Sequence, residues 1–133
     1  MDKIITALQG RQKSATRLTR NSKLFKTILK AIKDKKGEAI VSLDLRKIDE
    51  AVADFFILCE AKSNIQIKAI ADFITEEVYK ECEEKPYHVE IGNEWTLVDY
   101  VNVVVHIFQH EQRRFYDLES LWADAQKTEH NEQ

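Results

Sequence analysis

Apolar positions along this chain follow two periods, and the switches between them mark its elements. In NSKLFKTILKAIKDKKG, residues 21–37, Leu24, Phe25, Ile28, Leu29 and Ile32 form a single stripe at helical spacing. Asn21 or Ser22 can cap the first free N–H groups. Lys33, Lys35 and Lys36 stand at the carbonyl end, where the helix dipole favours cations, and Gly37 supplies the stop. The period then falls to two. In AIVSLDL, residues 39–45, Ile40 and Ser42 point one way while Val41, Leu43 and Leu45 point the other. DFFILCEA, residues 54–61, is apolar almost throughout, as expected of a central strand covered on both faces.

The helical period returns in residues 63–83. Ser63 and Gln66 make a capping-box pattern, Ile67, Ile70, Ala71, Ile74 and Val78 hold one face, and Pro86 closes the segment. YHVEIG gives a short strand. EWTLVDY and NVVVHIF read as two strands meeting at Val101-Asn102, with Asn102 tolerating a positive φ at the turn. A final helix is expected over EQRRFYDLESLWADA, with Phe115, Leu118, Leu121 and Trp122 on one side. The order α–β–β–α–β–β–β–α predicts one α/β domain, a mixed sheet of about five strands packed with helices. The 63–83 helix can cross between parallel strands.

Composition narrows the classes. A 133-residue chain with 44% hydrophobic and 32% charged residues can bury a core without disulfides or metal. No apolar run approaches membrane-spanning length, and the opening MDKIITALQGRQK lacks a secretory h-region, so a cytoplasmic protein is expected. Cys59 and Cys82 fall inside periodic apolar segments, as buried thiols in a reducing compartment do. The net charge of −3 divides unevenly: residues 1–36 hold 11 basic and 2 acidic groups (+9), residues 37–133 hold 9 basic and 21 acidic (−12). The basic arm either complements the acidic body as a solvated helix or lies near nucleic acid, where counterion release adds affinity. RQKSATRLTR, residues 11–20, is also Arg-rich and acid-poor like a transit peptide, though without a clear amphipathic face.

Motifs for chemistry are sparse. His106 and His110 are four apart, but the residues before His110 read as strand, so no metal site is expected. Cys59 has no nucleophile motif around it, and the three glycines form no phosphate loop. Asp44, Asp54 and Asp99 are single acids on different strands. The aromatic and arginine content of the C-terminal part points instead to binding, with Trp95 expected to be partly exposed at a strand end.

Four blocks occur in order: DKKGEAIVSLDLR, ADFFILCEAKSNIQIKAIAD, EWTLVDYVNVVVHIF and RRFYDLESLWADA. Together they resemble the ribosomal silencing factor (Iojap, RsfS) family over roughly residues 22–125. That resemblance implies a nucleotidyltransferase-like topology without catalytic acids, and no cofactor. It implies a repressor that binds the large ribosomal subunit through its fourteenth protein. There it would block joining of the small subunit and lower translation under nutrient limitation. The partner contacts it implies are Trp95, Leu97, Asp99, Tyr100, His106, Arg113 and Tyr116, with Asp99 accepting a hydrogen bond from a partner cation. Basic N-terminal residues could touch ribosomal RNA, and an unpaired strand edge could support a homodimer. The expected division is a basic extension over 1–20, the family domain over 21–126 and a polar tail over 127–133. Val101-Asn102 replaces the usual Gly-Asp at the hairpin turn, and Glu90-Ile91-Gly92 alters the loop before Trp95. A nucleotidyltransferase-like enzyme and a self-associating scaffold are the competing functions.

Overall fold

The stripe from Leu24 to Ile32 closes onto a sheet, and the computed structural model describes residues 18–130. The 1–20 extension therefore lies almost wholly outside the described residues. Among these, the elements run α1 (Leu18–Asp34), β1 (Glu38–Asp44), β2 (Phe55–Ala61), α2 (Asn64–Cys82), β3 (His88–Glu90), β4 (Trp95–Asp99), β5 (Val103–Gln109), α3 (His110–Tyr116), α4 (Leu118–Leu121) and β6 (Gln126–Glu129). One mixed sheet has the order β3-β4-β5-β2-β1-β6. β2 and β5 are parallel; the other neighbouring pairs are antiparallel. The sixth strand comes from residues expected to be mostly tail, which pair with β1 from Val41–Glu129 to Asp44–Gln126.

Period-two alternation sends each strand's side chains to two separate cores. On the first face, Leu24, Ile28 and Ile32 of α1 and Ile67, Ile70, Ile74 and Val78 of α2 pack on Ile57, Cys59, Val105 and Ile107. On the second, Val41, Leu43, Phe56, Leu58, Leu97, Val104 and Phe108 are covered by the 45–53 connection and Leu118. Each such aliphatic side chain contributes about 1.5–3 kcal/mol on burial. β2 sits in the middle and serves both cores, which explains its near-continuous apolar run. Burial pushes the Cys59 thiol up to about 12, so it stays neutral. No described helix is long and apolar enough to cross a membrane.

The element ends depart from expectation in instructive ways. α1 begins at Leu18, so Asn21 and Ser22 lie inside it rather than capping it. Its stop uses Lys36 in the left-handed region (φ 66°), with Lys36 N–H donating to Lys33 O at 3.0 Å and Gly37 N–H to Ile32 O at 2.9 Å. Gly37 is needed for clearance instead: a Cβ there would lie 2.5 Å from Ile32 Cγ2. Ser63 caps α2 as expected, its Oγ accepting from Gln66 N–H at 3.1 Å. Gln66 Oε1 reaches back to Lys62 N–H at 3.3 Å. α2 ends on left-handed Glu83, three residues ahead of Pro86. At the hairpin the positive φ falls on Val101 (74°), not on Asn102. Asn102 N–H donates to Tyr100 O across this three-residue turn at 2.9 Å. The expected single C-terminal helix is broken at Asp117 (φ 49°), whose carboxylate accepts from Ser120 N–H at the start of α4.

Candidate docking face

β4 and β5 place an aromatic file on the second sheet face. Trp95 stands directly opposite Phe108, and Leu97 opposite His106. From the interior outward, Phe56 meets His106 edge-on at 4.5 Å between centroids, and His106 lies 5.7 Å from Trp95. Trp95 packs on Phe108 at 4.9 Å and on Tyr116 at 5.1 Å. Tyr116 meets Phe115 at 5.1 Å, and Phe115 is 76% exposed. The file thus begins in the core and ends in solvent, with each ring positioned by the one beneath it.

Two hydrogen bonds hold its polar atoms. Trp95 Nε1–H donates to His106 Nδ1 at 3.0 Å. That bond fixes the neutral tautomer with its proton on Nε2. Burial drives the His106 pKa down to about 3, so the imidazole is uncharged at neutral pH. Its Nε2 has no hydrogen-bond partner among the described residues. At the outer end, Tyr116 OH donates to Glu94 Oε1 at 2.8 Å, which ties α3 to the start of β4.

The expected contact residues are therefore sorted by depth. Trp95 is only 3% exposed, so the expectation of a partly exposed indole fails: its polar atom is satisfied by His106 rather than held out to solvent. Trp95, Leu97 and Asp99 do share one side of β4, as alternation requires. Leu97 and His106 are fully buried. Asp99, 1% exposed, accepts from Val101 N–H at 2.8 Å and so shapes the hairpin turn. Tyr100 faces the opposite core, under the helices. Arg113 is buried as well, its guanidinium bonded to Glu60 at 3.1 Å and Glu119 at 3.3 Å. Of the seven, only half-buried Tyr116 reaches the surface, and the other six lie beneath it or elsewhere in the interior.

What reaches solvent here are residues expected to be core. Phe115 and Leu121 were to share a side with Leu118 and Trp122, but the break at Asp117 leaves Phe115 76% and Leu121 66% exposed. Glu94, which accepts from Tyr116, is exposed at the same end of the file. A signal for the break was present: Asp117 as a cap residue with Glu119 in the first turn after it resembles a helix start.

Comparison with known proteins settles the lineage. Residues 19–133 match the family described as ribosomal silencing factor during starvation, RsfS. This chain belongs to the RsfS family. It is 37% identical over 114 residues to the ribosomal silencing factor RsfS of Halalkalibacterium halodurans, covering 82% of this chain and 93% of that protein. It is 38% identical over 109 residues to the RsfS of Bacillus subtilis, covering 75% and 88%. A crystal structure of a Chromobacterium violaceum protein superposes with a TM-score of 0.71 at 33% identity, covering 77% of this chain and 85% of that one. The family match runs through β6, which agrees with that segment's place in the sheet.

Proposed function

We propose that this RsfS-family chain is a cytoplasmic translational repressor. On this reading it binds the large ribosomal subunit through its fourteenth protein and, while seated, keeps the small subunit from joining when nutrients are short. The family name and the names of its relatives support the ribosomal silencing role. The observation that carries the docking site is the exposed end of the aromatic file: Phe115 stands in solvent against Tyr116 at the top of a buried stack, and Leu121 is exposed on the helix that follows. A fixed aromatic anchor loses little conformational entropy on binding. Trp95 and His106, packed with Leu97, then act from beneath by setting the height and angle of Tyr116 and Phe115, while Asp99 acts on the hairpin turn. The mechanism needs occupancy rather than a reaction, since a body filling a contact surface excludes whatever must occupy the same volume. The exposed Lys23 and Lys26 of α1, on the helix side of the sheet, supply a peripheral contact to ribosomal RNA phosphates.

The experiment is sedimentation of purified large subunits with the full chain, followed by addition of small subunits and measurement of joining. Phe115→Ala with Leu121→Ala should leave the unfolding midpoint unchanged and weaken pelleting by about tenfold or more. Trp95→Ala does not serve, because removing a buried indole costs about 3–5 kcal/mol of stability, so lost pelleting could not be assigned to a lost contact. Normal joining on saturated large subunits would overturn the reading. Self-association is a second reading with its own observation: β3 is a sheet edge, and Tyr87, Val89 and Ile91 are exposed along it. Light scattering at the concentration used for pelleting tests it, a dimer mass supporting it and a monomer mass excluding it there.

A further inference from the structure

An open cavity of about 280 Å³ lies on the side of α3 away from the aromatic file, lined by Glu60, His110, Arg113, Glu119 and Lys127 among others. At its margin three elements converge. His110 Nε2, from α3, is 3.1 Å from Glu38 Oε1 on β1, and His110 Nδ1 touches Glu60 Oε2 on β2. We propose that Glu38, Glu60 and His110 form a binding site for a divalent transition-metal ion of the zinc class.

Distance comes first. One ligand atom from each residue lies within 4.8 Å of the others. Zinc–ligand bonds of about 2.0–2.2 Å put two ligands of a tetrahedral ion about 3.3–3.6 Å apart. Seating the ion therefore requires a swing of up to about 1.5 Å by the exposed side chain of Glu38, and the half-exposed His110 ring must part from Glu60 Oε2 so that the ion replaces their direct contact.

Charge comes second. Together with Glu38, the cavity carries five carboxylates (Glu38, Glu60, Asp117, Glu119, Glu129) against three cations (Arg113, Arg114, Lys127). Counting these carboxylates against the arginines and lysine, the surplus is −2, which a dication cancels. Arg113 opposes an ion nearby, but it binds Glu60 through the other oxygen, Oε1, and it is itself matched by Glu119. Its effect on Glu60 is to hold the carboxylate in place with Oε2 turned to His110. Donor type comes third. One imidazole with two carboxylates suits zinc and its neighbours and disfavours magnesium, while the cavity gives water the remaining position. An imidazolium clasped between two carboxylates would occupy the same geometry without any ion, so the experiment must separate the two.

The full chain, dialysed against chelator and then freed of it, is titrated with zinc chloride by calorimetry, with magnesium chloride as control. The expected result is one zinc ion per chain, a zinc-dependent rise in unfolding temperature, and no magnesium binding. Both His110→Ala and Glu38→Gln should weaken binding by about tenfold or more and abolish the thermal shift. Glu38 is exposed, so its variant remains informative even if His110→Ala unfolds. Absence of saturable binding below about 0.1 mM would overturn the proposal and leave the clasp. Undiminished binding in either variant would also overturn it, and would move the ion elsewhere, for example to His88 beside Glu90 at 3.0 Å. No ribosome enters the measurement, so it stands apart from the docking reading.

Discussion

Val101→Gly should make this protein more stable, although it deletes a partly buried aliphatic side chain. Val101 occupies the centre of a three-residue turn at φ 74°, closed by the Asn102 N–H to Tyr100 O bond of 2.9 Å. Such turns are rare and strained, and a β-branched residue at positive φ is the least favourable occupant. The strain is worth about 1–3 kcal/mol. Glycine removes it, at a cost of about 0.5–1 kcal/mol in unfolded-state entropy and about 1 kcal/mol for the contacts of a part-buried valine. A β-branched residue puts the strain toward the upper end of its range, so the expected net gain is about 0.5–1 kcal/mol. What holds valine there now is the surrounding bonding. Asp99 Oδ1 accepts from Val101 N–H at 2.8 Å, Tyr100 N–H donates to Val103 O at 2.9 Å, and Asn102 O accepts from the N–H groups of both Asp54 and Phe55. Urea unfolding followed by circular dichroism measures the change, as a higher midpoint at unchanged slope. Val101→Ala is the control, since it sheds the methyls while keeping a side chain at positive φ, and should gain less. A lower midpoint for the glycine variant would refute the reasoning, because it would mean the valine contacts outweigh the backbone strain.

Two further outcomes follow from other sites. Gly37→Ala should destabilise the fold by about 1–3 kcal/mol, since its Cβ would meet the branched methyl of Ile32 at 2.5 Å; an unchanged urea midpoint would show that α1 shifts freely. His106 has a folded pKa of about 3, below its unfolded value near 6.5, so its contribution is intact above the unfolded value and is lost as pH falls toward the folded one. Between pH 7 and 5.5 the parent should therefore lose about 1 kcal/mol more stability than His106→Leu, and parallel pH profiles for the two would contradict a buried neutral imidazole.

Much of this architecture was legible in the chain because burial is written in periods. The stripe of α1, the alternation of β1 and the two-sided run of β2 each appear in the cores as the spacing required. What escaped was set by partners distant in sequence or by locally unfavourable backbone. Trp95 read as exposed because Asn93 and Glu94 precede it, while the acceptor that buries its indole comes from His106 on the next strand. Phe115 and Leu121 read as core because their period is intact, yet left-handed Asp117 turns the chain between them. β6 is the sequence QKTE with all four residues exposed, so no pattern separates it from a tail; only its bonds to β1 make it a strand. Glu38, Glu60 and His110 are separated by 22 and 50 residues, and the antiparallel register of Glu38 against Glu60 is what brings the first two together.

The two sheet faces also fix a dimension. Long helices cover one side, and the aromatic file opens on the other. If the file is the seat, everything above it stands outward: a sheet and then a helix layer, each about 10 Å deep. The obstruction is then roughly 20 Å tall, several water diameters beyond any gap that two rigid surfaces could bridge by side-chain adjustment. Stand-off height, rather than footprint, becomes the quantity on which silencing turns.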